Sequence, residues 1–214
     1  GTAVHKVFLT ASSELSAWAP LLEQFKAVEQ SAALDLQPLP PAEPVKDDGQ
    51  IDVASLRNAW AELKDTHHFF ALMRKHGGVR TQVLRLAGHE WAEPLAPELL
   101  PQLFEQAAAG EVPIMVSVGN QHCIQIHSGP VNKLRWLDSW FNVLDSEFNL
   151  HLKTPAITQL WRVRKPSSDG MVTSWEAFDA QGEMIVQLFG ARKPGIPERA
   201  DWRALAESFP TLVD

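Results

Sequence analysis

The sequence predicts an α+β fold, one large antiparallel β-sheet with helices packed on it, and two observations carry that prediction. Between Ile114 and Phe189, short runs rich in Val, Ile, Leu, Phe and Trp follow one another, parted only by turn pairs such as Gly119-Asn120, Ser128-Gly129 and Asp169-Gly170. Strands joined by such short turns run antiparallel, because a parallel pair needs a long crossover. Apolar residues at helical spacing are confined to the stretches before and after these runs. The helices therefore cover the sheet from its ends rather than connect its strands.

In chain order, residues 1–10 read as a strand, and Leu15 to Gln30 as an amphipathic helix with Trp18, Leu21, Leu22 and Phe25. A similar pair stands at the other end. Gly182 to Phe189 lines up with Gly1 to Phe8, and Asp201 to Phe209 with Ala17 to Phe25, pairing Trp18 with Trp202, Leu21 with Leu205, Glu23 with Glu207 and Phe25 with Phe209. This is the pattern of an internal repeat. Residues 1–30 are accordingly expected to be the tail, strand and helix, of a preceding repeat, and residues 51–214 a second repeat. Between them, residues 31–50 hold Pro38, Pro40, Pro41 and Pro44 and no periodicity, as expected of a semi-extended linker. A strand left without its sheet would offer itself to a second copy, giving a homodimer by strand exchange.

Beyond the linker, Asp52 or Ser55 opens a helix through Leu56, Trp60 and Leu63. A second helix is predicted from His67 to His76, with Thr66 as its cap and Gly77 as its left-handed stop. Val79 to Leu86 alternates and reads as a strand, and Pro94 to Ala109 as a proline-punctuated helical segment. The strands of the sheet are then Ile114–Gly119, Cys123–Ser128, Phe141–Leu144, Phe148–Lys153, Ile157–Lys165, Val172–Asp179 and Met184–Phe189.

Composition bounds the function. Hydrophobic residues make up 45% and charged residues 21%, which suits a folded domain. A net charge of -7 gives no general attraction to nucleic acid or to an anionic membrane, and no apolar run reaches the length of a membrane span. The single cysteine, Cys123, rules out an internal disulfide framework and fits a reducing compartment. With no tyrosine in the chain, no phenol serves as acid or iron ligand.

The phosphate-binding glycine loop, the paired cysteines of a zinc site and the serine nucleophile elbow are all missing from the sequence. His122 and Cys123 are strand neighbours whose side chains face opposite ways, and His127 and His151 alternate with apolar residues as structural histidines do. The remaining pair, His67-His68, sits at a helix start. Histidines near helix ends are commonly just surface groups, yet the helix dipole there favours the neutral ring, the form that ligates metal. Either one is suited to be the single axial ligand of a heme iron. Arg80, Lys165, Gln187 and Arg192 are cationic or amide groups on predicted strands, each by itself more in keeping with a solvated surface.

Four separate stretches resemble the cytoplasmic heme-utilisation family of HemS, ChuS, ShuS and PhuS, and PhuS most nearly. They are Asp65-Thr66-His67-His68-Phe69-Phe70, Cys123 to Val131, Trp140 to Leu152, and Gln187 to Gly195. The resemblance implies two tandem repeats, each a large antiparallel sheet with packed helices, of which this chain matches the C-terminal one. It further implies that one heme b (iron protoporphyrin IX) sits between sheet and helices, with His67 as axial ligand and His68 as the alternative. Arg80, Lys165, Gln187, Phe189 and Arg192 then fall in the heme pocket, pairing with propionates or facing the distal side. Relatives can carry Tyr where this chain has Phe189. The activity implied is heme binding and trafficking in the cytoplasm, with delivery to a heme oxygenase as partner. The alternatives are a heme-degrading enzyme that opens the porphyrin with oxygen and a reductant, or a partner-docking half.

Overall fold

The computed structural model describes residues 8–30, 45–120 and 122–212. Most of the predicted N-terminal strand and of the linker lies outside them. The chain divides into two compact units, Gly1–Glu43 and Pro44–Asp214. In the first, helix α1 (Leu15–Phe25) starts where Glu14 accepts from the Ser16 amide and ends short of the predicted Gln30. It buries none of its residues, and Leu15, Leu21, Leu22 and Phe25 stand exposed.

The second unit opens with a 3-10 turn at Asp48–Gln50 and helix α2 (Val53–Ala61), whose first turn Asp52 caps by accepting from the Ser55 amide. The histidine segment is a 3-10 turn, Thr66–His68, running into helix α3 (Phe69–His76). Asp65, not Thr66, caps it, and Gly77 ends it at φ 70°. The Val79–Leu86 segment corrects the sequence reading, because it is helix α4 (Arg80–Ala87) and not a strand. A run of eight fits either period, and here Gln82, Val83 and Leu84 are buried in succession, against strand alternation, while Val83, Leu84 and Ala87 fall on one helical face. Arg80 accordingly stands in the first turn of a helix.

The predicted succession of strands splits into two antiparallel sheets. The larger has six strands in the order β1-β7-β8-β9-β2-β3: β1 (Ala92–Leu95), β2 (Ile114–Gly119), β3 (Ile124–Gly129), β7 (Gln159–Ser167), β8 (Gly170–Phe178) and β9 (Met184–Gly190). The smaller is β4 (Leu134–Leu137), β5 (Trp140–Leu144) and β6 (Asn149–Lys153). Helix α5 (Leu99–Ala109) and helix α6 (Ala200–Glu207) complete the unit.

Two cores result, one on each face of the large sheet. Leu160, Trp175, Ala177, Val186, Leu188, Ile114 and Val116 bury against α5, α6 and the small sheet. Trp202 of α6 lies so close to the sheet that a Cβ at Gly190 would come within 2.6 Å of its ring, so only glycine fits there. On the opposite face, Trp161, Val163 and Phe178 pack against Leu56, Trp60, Phe69, Val83 and Leu84 of helices α2 to α4. That second cover reaches only part of the way across the sheet. His127 stacks on Phe148 at 4.0 Å and His151 bonds to Asn142, structural roles for both.

Candidate functional site

Antiparallel partners point to the same face of a sheet, so the register identifies what stands beyond the edge of the helical cover. One row runs Trp161, Glu176, Gln187, Ser117, Ile126 across β7, β8, β9, β2 and β3. The next runs Val163, Ser174, Phe189, Met115, Ser128. Their β7 ends are sealed under the helices, whereas Ile124 and Ile126 on the edge strand remain 60% and 55% exposed, with Met115 and Phe189 half-buried beside them. The result is a floor on which Met115, Phe189, Ile124 and Ile126 supply apolar surface among Gln187, Ser117 and Ser128, with the helices covering its β7 side. Flat apolar surface with polar groups at its border is what a planar aromatic ligand requires.

The border is polar. Arg80, Lys165 and Gln187, read from the sequence as separate surface groups, meet on one carboxylate, Glu176, which is wholly buried. The Arg80 guanidinium donates through Nε at 2.7 Å and Nη2 at 2.9 Å, Lys165 Nζ at 2.5 Å, Gln187 Nε2 at 2.8 Å and Ser174 Oγ at 3.0 Å. Both cations lie over the ring of Phe69, Lys165 Nζ at 4.7 Å and Arg80 at 5.0 Å from its centroid. Burial pushes the Lys165 ammonium down to about 8, against the pull of Glu176. For Glu176, burial acts to raise the value, but Arg80 and Lys165 outweigh it and hold the carboxylate ionised well below its usual range.

His67 and His68 directly precede Phe69, so the ring that the two cations cover anchors the turn that carries them. Both are exposed. The His67 ring nitrogen Nδ1 lies 2.7 Å from Asp65 Oδ1, and the His67 amide donates to the same oxygen at 2.8 Å. These bonds, the amide first, hold the Asp65 carboxyl below its usual value. A neutral imidazole whose Nδ1 donates to a carboxylate has its Nε2 lone pair free, the arrangement that carboxylate–histidine–metal sites use to orient a ligand. Glu176 and Asp65, like the floor residues Met115 and Ile126, carry no site role in the sequence reading. A lone glutamate in the apolar run Val172 to Phe178 was the available signal for Glu176.

Arg192 is not brought to this cluster. Its Nη1 donates toward Ile196 O at 3.5 Å and pairs with Asp169 at 3.6 Å. It lines a shallow depression of about 400 Å³ with Ser128, Lys193, Ile196 and Arg199, at the Ser128 end of the second row. The floor thus has one basic border at Arg80 and Lys165 and another at Arg192 and Lys193.

Residues 77–209 match the family described as "Haemin-degrading HemS.ChuX domain". The chain belongs to this family. Among relatives of this HemS.ChuX domain, the hemin transport protein HmuS of Yersinia pestis is 39% identical over 206 residues, covering 95% of this chain and 58% of that protein. The fold superimposes on holo-PhuS, a heme-binding protein from Pseudomonas aeruginosa, with TM-score 0.92 at 64% identity, over 96% of this chain and 59% of that one. The heme degrading enzyme ChuS of Escherichia coli O157:H7 gives TM-score 0.83 at 34% identity, over 94% and 58%. The chain therefore spans somewhat more than half the length of these relatives. The family match begins at Gly77, after the histidine turn, and does not include His67 and His68. Among the described residues no helix is long and apolar enough to cross a membrane.

Proposed function

We propose that this chain binds heme b on the open floor, with His67 as the axial ligand to iron, within a cytoplasmic protein that carries imported heme to a heme oxygenase. The observation that carries the ligand assignment is the Asp65–His67 pair, which presents Nε2 outward from a ring already oriented. His68 has no such carboxylate in the described contacts and is the alternative ligand. Bound heme would supply a Lewis-acidic, redox-active iron; the protein supplies the rest. Met115, Ile124, Ile126 and Phe189 offer apolar contact to the macrocycle, and Arg80 and Arg192 offer charge-assisted donors to propionates, with the buried Lys165 adding its charge from behind Arg80.

Two further features support the wider reading. HmuS is named a transport protein and PhuS a heme-binding protein, which favours a carrier. Helix α1 leaves Leu15, Leu21, Leu22 and Phe25 exposed whereas α6, with which the sequence pairs it, buries Trp202 and Ala206, which supports assigning residues 1–30 to a preceding repeat.

Heme titration of the wild-type, His67→Ala and His68→Ala chains tests the assignment. A saturable one-to-one Soret change, weakened at least tenfold in His67→Ala and little altered in His68→Ala, is the expected result. The reverse order moves the ligand to His68. The enzyme reading draws on the likeness to ChuS, a named heme degrading enzyme. It is tested by reducing the loaded chain under oxygen with catalase present, and biliverdin formed under those conditions would displace the carrier reading.

A further inference from the structure

Four side chains donate to Glu176, and the count of charges there is unequal: two cations, Arg80 and Lys165, against one carboxylate. Burying an ionised group without compensation is expensive, so a wholly buried glutamate and a wholly buried lysine persist only as parts of one built unit. The unit is built from three directions. Glu176 and Ser174 stand on β8, Lys165 on β7 and Gln187 on β9, and Arg80 reaches down from the first turn of α4. Its members differ in access: Glu176 and Lys165 are closed off, while Gln187 is half-buried and the Arg80 side chain keeps 23% of its surface.

The donors used by Glu176 also decide what is left over. Arg80 spends Nε and Nη2 on the carboxylate, in a side-on bidentate pair that turns its Nη1 edge away from Glu176. Gln187 spends its amide nitrogen there, so its carbonyl oxygen faces away from Glu176. The side chains that border the floor are thus held in one orientation by a group that cannot itself touch a ligand.

We infer that Glu176 is the positioning residue of this border: it locks Arg80, Lys165 and Gln187 into a rigid wall carrying one net positive charge, and so fits the wall to a single carboxylate of the bound molecule. Without Glu176 the same cations would be mobile and mutually repelling, able to meet an anion only at the cost of ordering themselves. The inference rests on the heme reading above, since the carboxylate it would take is one propionate edge of the porphyrin. It differs in assigning the specificity to a residue outside ligand reach.

The test separates positioning from charge. Hemin and its dimethyl ester, whose edge is neutral, are titrated into the wild-type chain, into Glu176→Gln and into the double variant Lys165→Met/Glu176→Gln. The double variant keeps the wall at one net positive charge, now on Arg80 alone, and avoids an unpaired buried lysine, so it guards against a single variant that fails to fold. Thermal unfolding of each chain establishes that it is folded. The expected result is a wild-type preference for hemin over the ester that falls about tenfold or more in the double variant, with ester affinity unchanged. A folded double variant that keeps the wild-type preference within twofold would show that net charge suffices, and would overturn the positioning role while leaving the heme reading intact. Wild-type chain that binds neither porphyrin would overturn both.

Discussion

The two ends of a single row of side chains behave differently. At its β7 end, Trp161 is 9% exposed and its neighbours Val163 and Phe178 are fully sealed under helices α2 to α4; at its β3 end, Ile126 is 55% exposed. Both ends sit in the same ladder and the same alternation. What separates them is cover, and the polar unit of Glu176, Arg80, Lys165 and Gln187 stands at the line where cover stops. A core that ended there in apolar side chains alone would give a ligand nothing to orient it. Placing the buried charges at the boundary lets the sealed half supply rigidity to the open half.

Changes in the sealed half break that comparison most strongly. Phe69 is 2% exposed, packs edge-on against Trp60 at 4.7 Å, and lies beneath both Lys165 and Arg80. Phe69→Ala is expected to cost about 3–5 kcal/mol of stability, measured by urea unfolding, and to weaken heme binding as well, because it removes the surface on which the cations rest. A loss below about 1 kcal/mol would mean that the two halves are not mechanically coupled.

The boundary itself is probed by acid. Glu176 has a folded value below its ordinary 4.5, so at mildly acid pH the unfolded chain binds a proton that the folded chain does not. Its contribution to stability is complete above about 4.5 and is lost as the pH falls toward the folded value. Urea midpoints of wild type should fall more steeply below pH 4.5 than those of Lys165→Met/Glu176→Gln, and parallel curves would count against an ionised Glu176.

Lys165 acts on the alkaline side, and its linkage has the same sign. Its folded value of about 8 lies below the ordinary 10.5, so between those values the unfolded chain holds the extra proton and the burial penalty is relieved as the pH rises. The wall loses a cation in the same window. Affinity for hemin should therefore decline as the pH rises through about 8 while stability does not, and Lys165→Met should lack that decline. A decline shared by the variant would assign it to another group.

How much of this was legible in the sequence follows the same division. The strands and their antiparallel order were readable because alternation and turn pairs are local, and the large sheet emerged with nearly the predicted bounds, as at Ile114–Gly119. The split into two sheets was not, because nothing local says that β4, β5 and β6 pair among themselves. Arg80 to Ala87 was misread for a physical reason: eight residues satisfy either period, and burial against α2 and β1 decides. At the site, Arg80, Lys165 and Gln187 could be named from their types and the family resemblance. Their common partner could not, because Glu176 is 96 residues from Arg80 and a single glutamate in a strand gives no local sign of what it meets. Asp65 is within reach of a local reading, two residues before His67, although Thr66 competes with it as the expected cap.

The smallest effect on stability belongs to the open half, and it is the most informative about function. Ile126 lies on an edge strand with more than half its surface already in solvent, so Ile126→Ala removes little that the folded chain had buried, and unfolding should shift by less than about 0.5 kcal/mol. If the floor seats a porphyrin, the same side chain is covered only in the complex, and losing part of its apolar area should cost roughly 1 kcal/mol of binding, about fivefold in affinity for hemin and its ester alike. Stability unchanged with affinity reduced places the ligand on β3. Affinity unchanged would confine the ligand to the strands nearer the wall, β8 and β9, and leave Ile124 and Ile126 as exposed apolar surface with a different use.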